Sequence, residues 1–260
     1  MASKASWRSA ATSISSVAGS VKRAQSYAGI VGALAAYDGD LARNIKGIRV
    51  SQHLFADLSA DRADQEVAIA AENAMRIAST QPMITRPFDY GTVVTWPFVP
   101  HNWQRTRYSD GLAHGVWYGS PELETTVYDT VHHGHRFVMD SFPAEVRLIV
   151  GERRVLDVRC DALLVDLRGK EKTEPRLTDR SDYGFAQSLG RYLKDQSQNG
   201  VLAASARCKG TIAAILRPEV LSDVREKCFL TYRMRPPIDQ VGVERVPGIP
   251  WMEIRPSSLA

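Results

Sequence analysis

Between Val116 and Leu216 the chain offers six short apolar or β-branched runs and only two stretches of helical character. That pattern constrains the fold more than any other feature. The runs are Val116–Gly119, Glu145–Val150, Val155–Val158, Leu163–Leu167, Gly200–Ala204 and Thr211–Leu216. The helix candidates are Pro121–His133 and Ser181–Gln196. A doubly wound parallel sheet alternates strand and helix, whereas strands in pairs with few helices predict an α+β fold. Gly91–Trp96 adds a further β-branched strand candidate. It sits among Gln81-Pro82, Arg86-Pro87, Trp96-Pro97 and Val99-Pro100. This change of character after Pro82 puts a boundary between residues 80 and 90, giving a segment 1–85 and a main domain 86–260.

The first segment reads as a helical extension. Residues 1–37 contain no acidic residue and are rich in Ala, Ser and Gly, with Lys4, Arg8, Lys22 and Arg23, a composition that borders on a transit peptide. The apolar run 28–36 begins too far from the N-terminus for a secretion signal, and Tyr37-Asp38-Gly39-Asp40 follows it. We expect a small-residue helical segment that packs on the main domain or on a partner. Over 61–79, Ala63, Val67, Ala70, Ala71, Ala74 and Ile77 recur at three- and four-residue spacing and predict a helix. Its acidic residues Asp61, Asp64 and Glu66 favour the helix start. Small apolar side chains bury little area each, so this helix needs a partner surface. Oligomerisation and partner contact are the roles it suggests.

Composition excludes several classes. Apolar residues make up 44% and charged residues 24%, ordinary for a globular protein. No uninterrupted apolar stretch is long enough to span a membrane. Cys160, Cys208 and Cys228 are odd in number and lack ligand spacing, so neither a disulfide framework nor a structural zinc site is expected. The net charge of +4 suits a phosphate-bearing ligand, but the basic residues are scattered, so direct nucleic-acid binding is not expected.

The window Arg107–His135 is the richest in chemistry. A strand ending at Gly119 meets Ser120-Pro121, a helix start with a capping serine and proline at the first position. Glu122 and Glu124 then fall in the first turn, where the helix dipole favours them. Asp129 lies two turns further on. His132, His133 and His135 invite a metal reading, but no third ligand and second shell are in sight, so no metal is expected.

Arg107-Tyr-Ser-Asp-Gly, followed by Gly115-Val-Trp-Tyr-Gly-Ser-Pro-Glu-Leu-Glu-Thr-Thr-Val-Tyr-Asp129 and His132-His133, resembles the core signature of RES-domain proteins. The resemblance continues through Val155-Leu-Asp157, Leu163–Gly169, Asp182-Tyr183, Gln187–Gly190 and Asn199–Arg207, and closes with Ala213–Pro218. Those proteins are bacterial, NAD+-degrading toxins named for an arginine, a glutamate and a serine. The resemblance implies an ADP-ribosyltransferase-like core of small packed sheets holding NAD+ in a cleft. It implies no cofactor, since NAD+ is the substrate. It implies a cytoplasmic location, and as partner a cognate antitoxin with an Xre-like helix-turn-helix. By position the family arginine falls on Arg107, its aromatic partner on Tyr118 and its serine on Ser205. The family acid falls on Asp129, where glutamate is expected, and Ala203-Ala204-Ser205 departs from the usual Tyr-Pro-Ser-like sequence.

The chemistry asks for these residue types. Arg107 can clamp a phosphate with parallel donors. Tyr118 can stack on a flat ring and donate from its tip. Ser205 can bond ribose or phosphate. Nicotinamide leaves as a neutral molecule from a cationic linkage, so positive charge develops on the ribose, and the Asp129 carboxylate can stabilise it or orient the acceptor. The shorter aspartate shifts that carboxylate by about 1 Å, enough to cost about 10²-fold in rate unless Glu124 compensates. The expected activity is NAD+ cleavage by phosphorolysis or hydrolysis. ADP-ribosylation of a protein and a catalytically inactive nucleotide-binding module are the alternatives.

Overall fold

The computed structural model describes residues 27, 29–47, 61, 63, 64, 67, 90–142 and 144–260. One strand organises them. β5 (Ile149–Asp166) runs for 18 residues where the sequence suggested three separate strands. Charges interrupt its apolar pattern, but neighbouring strands answer them. Arg154 meets Glu226 at 3.2 Å, Asp157 meets Lys227 at 2.9 Å, and Arg159 pairs with Asp38. Opposite charges across strands support pairing, so a charged residue need not end a strand.

Along one edge of β5 lies β1 (Leu34–Lys46), antiparallel over its whole length. The other edge carries β8 (Leu221–Met234), antiparallel over Ile149–Cys160, and then β6 (Gly200–Ala204), parallel at Val165 and Asp166. From β8 the sheet continues to β9 (Val241–Val246) and β10 (Ile249–Ile254). From β6 it continues to β7 (Thr211–Ile215) and β4 (Trp117–Gly119). A bridge between Ala42 and Ser120, with N–H···O distances of 2.7 and 3.1 Å, ties the end of β4 back to β1. The strands β1, β5, β6, β7 and β4 thereby close a ring. β2 (Arg105–Thr106) and β3 (Ser109–Asp110) form a separate small hairpin.

Three apolar cores follow. Inside the ring Leu41, Trp117, Leu156, Leu164, Leu202 and Ile215 are fully buried or nearly so. Helix α2 (Leu123–Ser141) lays Leu123, Val127, Val131 and Val138 against β8, β9 and β10. Helix α3 (Gly184–Asp195) buries Ala186, Leu189 and Leu193 against the β6–β7 side and Tyr108. Few helices against a mixed sheet make this an α+β fold, as the strand spacing predicts.

Several local expectations need correction. The segment 1–85 is not a purely helical extension, because β1 falls within it and forms a full strand of the main sheet. Gly29, Ile30 and Val31 are helical, but the run read as helical through residue 36 turns into β1 at Leu34. Ala, Gly and Asp are poor strand formers, and here cross-strand partners override that preference: Asp38 meets Arg159, and Asp40 meets Arg225 at 2.6 Å. Of the helix read over 61–79, Ala63, Asp64 and Val67 are helical, Asp61 is described and is not, and the rest lies outside the described residues.

Gly91–Trp96 is not a strand. Helix α1 (Tyr90–Thr95) occupies it, and a 3-10 turn from Trp96 to Phe98 follows. Thr95 donates its hydroxyl to Gly91 O at 3.0 Å, and Val94 is buried against the ring core. Ser120 does not cap α2, which begins at Leu123. Its hydroxyl accepts the Glu122 N–H at 3.1 Å and faces Thr211 O at 2.7 Å, so it joins the helix start to β7. The strands β8, β9 and β10 escaped the sequence reading.

Candidate functional site

The β2–β3 hairpin presents Arg107 and Tyr108 at its turn. Gly190 lets α3 press against that turn: a Cβ there would lie 2.1 Å from Tyr108 O. Gln187 donates to Thr106 O at 2.9 Å, and His114 Nε2 contacts Tyr108 O at 2.9 Å. The hairpin is thus held from both sides. Arg107 is buried, with Nη1 donating to Asp179 O (2.7 Å) and Leu177 O (3.3 Å). Its guanidinium lies over the Tyr183 ring at 4.5 Å. Tyr183 is itself fixed, because its hydroxyl accepts Arg207 Nη2 at 3.0 Å. Such an arginine is held in direction by carbonyls and a ring, with no ion pair among the described residues. Among the described residues nothing bonds its Nε or Nη2.

Tyr118, on β4, directs its hydroxyl to the same hairpin. It donates to Thr106 Oγ1 at 2.9 Å and accepts the Tyr108 N–H at 3.0 Å. Burial pushes its pKa up to about 12, so the phenol stays neutral. This corrects one expectation: the tip is committed to the hairpin, and what Tyr118 offers a ligand is its ring.

Asp129, on α2, is half-exposed, with His133 Nε2 at 3.8 Å. Arg107, Tyr118 and Asp129 line one cleft of about 670 Å³, a size usual for small-molecule sites. Ser205 is not among its walls. It follows β6, and its hydroxyl accepts the Arg207 N–H at 3.1 Å while its own N–H bonds Gly210 O at 2.8 Å. The expectation that Ser205 joins the other three is therefore corrected: its side chain shapes the turn that holds Arg207. Glu124 offers no substitute carboxylate, because it faces Arg245 at 3.7 Å and is not part of the cleft.

The sequence reading missed a second part of the lining. Arg43 and Asn44 from β1 and Arg153 from β5 also line the cleft. Arg43 Nη1 donates to Tyr118 O at 2.7 Å. Asn44 Oδ1 accepts Arg153 Nε at 2.9 Å, and Asn44 Nδ2 reaches the Tyr232 hydroxyl at 3.0 Å. Alternation around Leu41 would have been the one available signal, and the Asp-Gly-Asp sequence before it obscured it. On α2, burial first and then the charge of Arg207 draw His132 down from 6.5 to about 4. Among the described residues no three His, Cys, Asp or Glu side chains gather as a metal set, and no helix is long and apolar enough to cross a membrane.

A hairpin arginine, a strand tyrosine and a helix acid around one cleft agree with the order of residues that prompted the family resemblance. The family model of the RES domain matches residues 74–235, more than half of the chain, and the chain belongs to the RES domain family. The match starts after β1 and ends before β9. No curated protein matches. Among solved structures, the crystal structure of the M.tuberculosis MbcT-MbcA toxin-antitoxin complex aligns at 10% identity, with a TM-score of 0.41. The alignment covers 78% of this chain and 88% of that one.

Proposed function

We propose that this protein cleaves the bond between nicotinamide and ribose in NAD+, and acts as the toxin of a toxin–antitoxin pair. Membership of the RES domain family supports the class of chemistry. The observation that carries the reading is the single cleft shared by Arg107, the Tyr118 ring and Asp129. Arg107 binds a phosphate oxygen of the dinucleotide through the donors its carbonyl partners leave open. The Tyr118 ring packs against a flat part of the substrate. As the bond to nicotinamide lengthens, positive charge grows on the ribose and the Asp129 carboxylate stabilises it. The bonding electrons leave with nicotinamide, which departs neutral, and the anomeric carbon bonds to phosphate or water. The antitoxin in this reading covers the cleft.

The test follows NAD+ loss by purified protein, with and without inorganic phosphate, beside Arg107→Ala. Loss that needs Arg107 supports cleavage, and a phosphate requirement names the acceptor. Unchanged NAD+ under both conditions defeats the proposal.

A further inference from the structure

β1 lies outside the matched span 74–235, yet it forms one wall of the cleft. Arg43 is its central contribution. Nη1 is spent on Tyr118 O, the guanidinium lies 5.2 Å from the centre of the Trp117 ring, and Nε is buried without a partner among the described residues. On the adjacent strand Arg153 commits Nε and Nη2 to Asn44 Oδ1 and O, at 2.9 and 3.1 Å. Neither arginine forms an ion pair among the described residues. The charged groups facing Arg43 are Arg153, which repels it, and Asp129, which attracts it. Two cations against one carboxylate leave surplus positive charge in a partly desolvated cleft. Burying charge without a counter-charge is costly, and backbone carbonyls offset only part of it. An incoming anion removes the imbalance, and the planar guanidinium fits a tetrahedral oxyanion well.

We propose that Arg43, backed by Arg153, binds a phosphate group in the cleft and so makes β1 a substrate-binding strand. The identity of the phosphate rests on the NAD+ reading above, which supplies two sources: the pyrophosphate of the dinucleotide and free inorganic phosphate. Arg153 acts as a positioning residue, fixed by Asn44 and by the Tyr232 ring at 5.8 Å. Burial and the neighbouring Arg153 charge already draw Arg43 down to about 10, still protonated at neutral pH. It therefore meets the anion as a cation.

The experiment titrates the full chain calorimetrically with inorganic pyrophosphate, as wild type and as Arg43→Gln, a substitution that keeps a donor for Tyr118 O. The expected result is binding to the wild type and affinity weaker by about tenfold or more in the variant. Equal affinities, or no binding to the wild type, overturn the proposal. Should Arg43→Gln fail to fold, Arg43→Lys carries the test: it keeps the charge, loses the planar fork, and is expected to bind several-fold more weakly. Turnover then distinguishes the sources. A raised KM for NAD+ assigns Arg43 to the dinucleotide, a raised KM for phosphate assigns it to the acceptor, and no change in either overturns the role. Arg43-dependent pyrophosphate binding by a wild type that leaves NAD+ intact would sink the cleavage reading and leave the subsite standing.

Discussion

The two walls of the cleft are built on different terms. One wall consists of the β2–β3 hairpin, β4 and the start of α2. It carries Arg107, Tyr118 and Asp129 within about two dozen residues of sequence, and falls inside the family match. The other brings Arg43 and Asn44 from β1 to Arg153 on β5, residues separated by more than a hundred positions and brought together by strand pairing. The first wall can be read as a motif. The second exists only once thirteen residues of β1 have paired with β5. The contrast teaches that part of the site is a product of the sheet and inherits the sheet's stability.

The largest effect should therefore come from the core beneath the second wall. Leu41 is fully buried inside the strand ring, and Leu41→Ala is expected to cost about 2–5 kcal/mol by lost transfer energy and the cavity left behind. Leu34, on the same strand but 56% exposed, should cost no more than about 0.5 kcal/mol when truncated. Urea unfolding of both variants checks the difference. If the two are alike, β1 is an appendage and the comparison between the walls collapses.

On the first wall the large effects should fall on activity with stability little changed. Arg107→Ala removes a guanidinium held by carbonyls and the Tyr183 ring, and should lower kcat/KM for NAD+ on the order of 10²–10³-fold, the scale seen when a preorganised donor is lost. A steady-state assay beside a melting curve separates this from unfolding. Asp129→Glu probes the fit between the walls more finely. Asp129 acts electrostatically on Arg43 and Arg153, and restoring the longer acid that the family resemblance implies should move the carboxylate by about 1 Å and raise the rate by about 10²-fold. A rate left unchanged or lowered would mean that the cleft is fitted to the shorter acid.

The same contrast explains what the sequence could and could not reveal. The strand Trp117–Gly119, the first part of the helix after it (read as ending at His133 where it runs on to Ser141) and the pair β6–β7 were legible because the local apolar pattern is clear there. Tyr118 and Asp129 were singled out by the resemblance to RES-domain proteins, which placed them on those elements. β1 was not legible, because Ala35-Ala36, Gly39 and two aspartates carry almost no strand preference, and it is pairing along the whole length of β5, with Arg159 and Arg225 meeting the aspartates, that makes them strand residues. α1 misled in the opposite sense: its valines and threonines favour a strand, yet six residues before Pro97 form a helical turn over the ring core. Ser205 was misplaced for a different reason. A serine after a strand serves its own turn as readily as a ligand, and here it holds the Arg207 N–H.

The smallest effect expected is one of pH, and it sharpens the comparison on α2, the helix that carries Asp129. His132 is drawn down to about 4, and its Nε2 is buried without a partner among the described residues. Because the folded pKa lies below the ordinary 6.5, the unfolded chain takes up the proton first. The contribution of this residue is complete above pH 6.5 and is lost as the pH falls toward 4. Burial lowers His135 and His114 as well, and they act in the same direction. The carboxylates that are held low, such as Asp166 and Asp239, begin to lose their contribution only near pH 4.5 and below. Between pH 6.5 and 5 the slope of stability against pH thus belongs to the histidines. His132→Gln, which cannot take up that proton, should flatten the decline of the urea midpoint over that interval while leaving Arg107-dependent turnover at pH 7.5 in place. An unchanged slope would show that His132 exchanges its proton with solvent as freely in the folded chain as in the unfolded one.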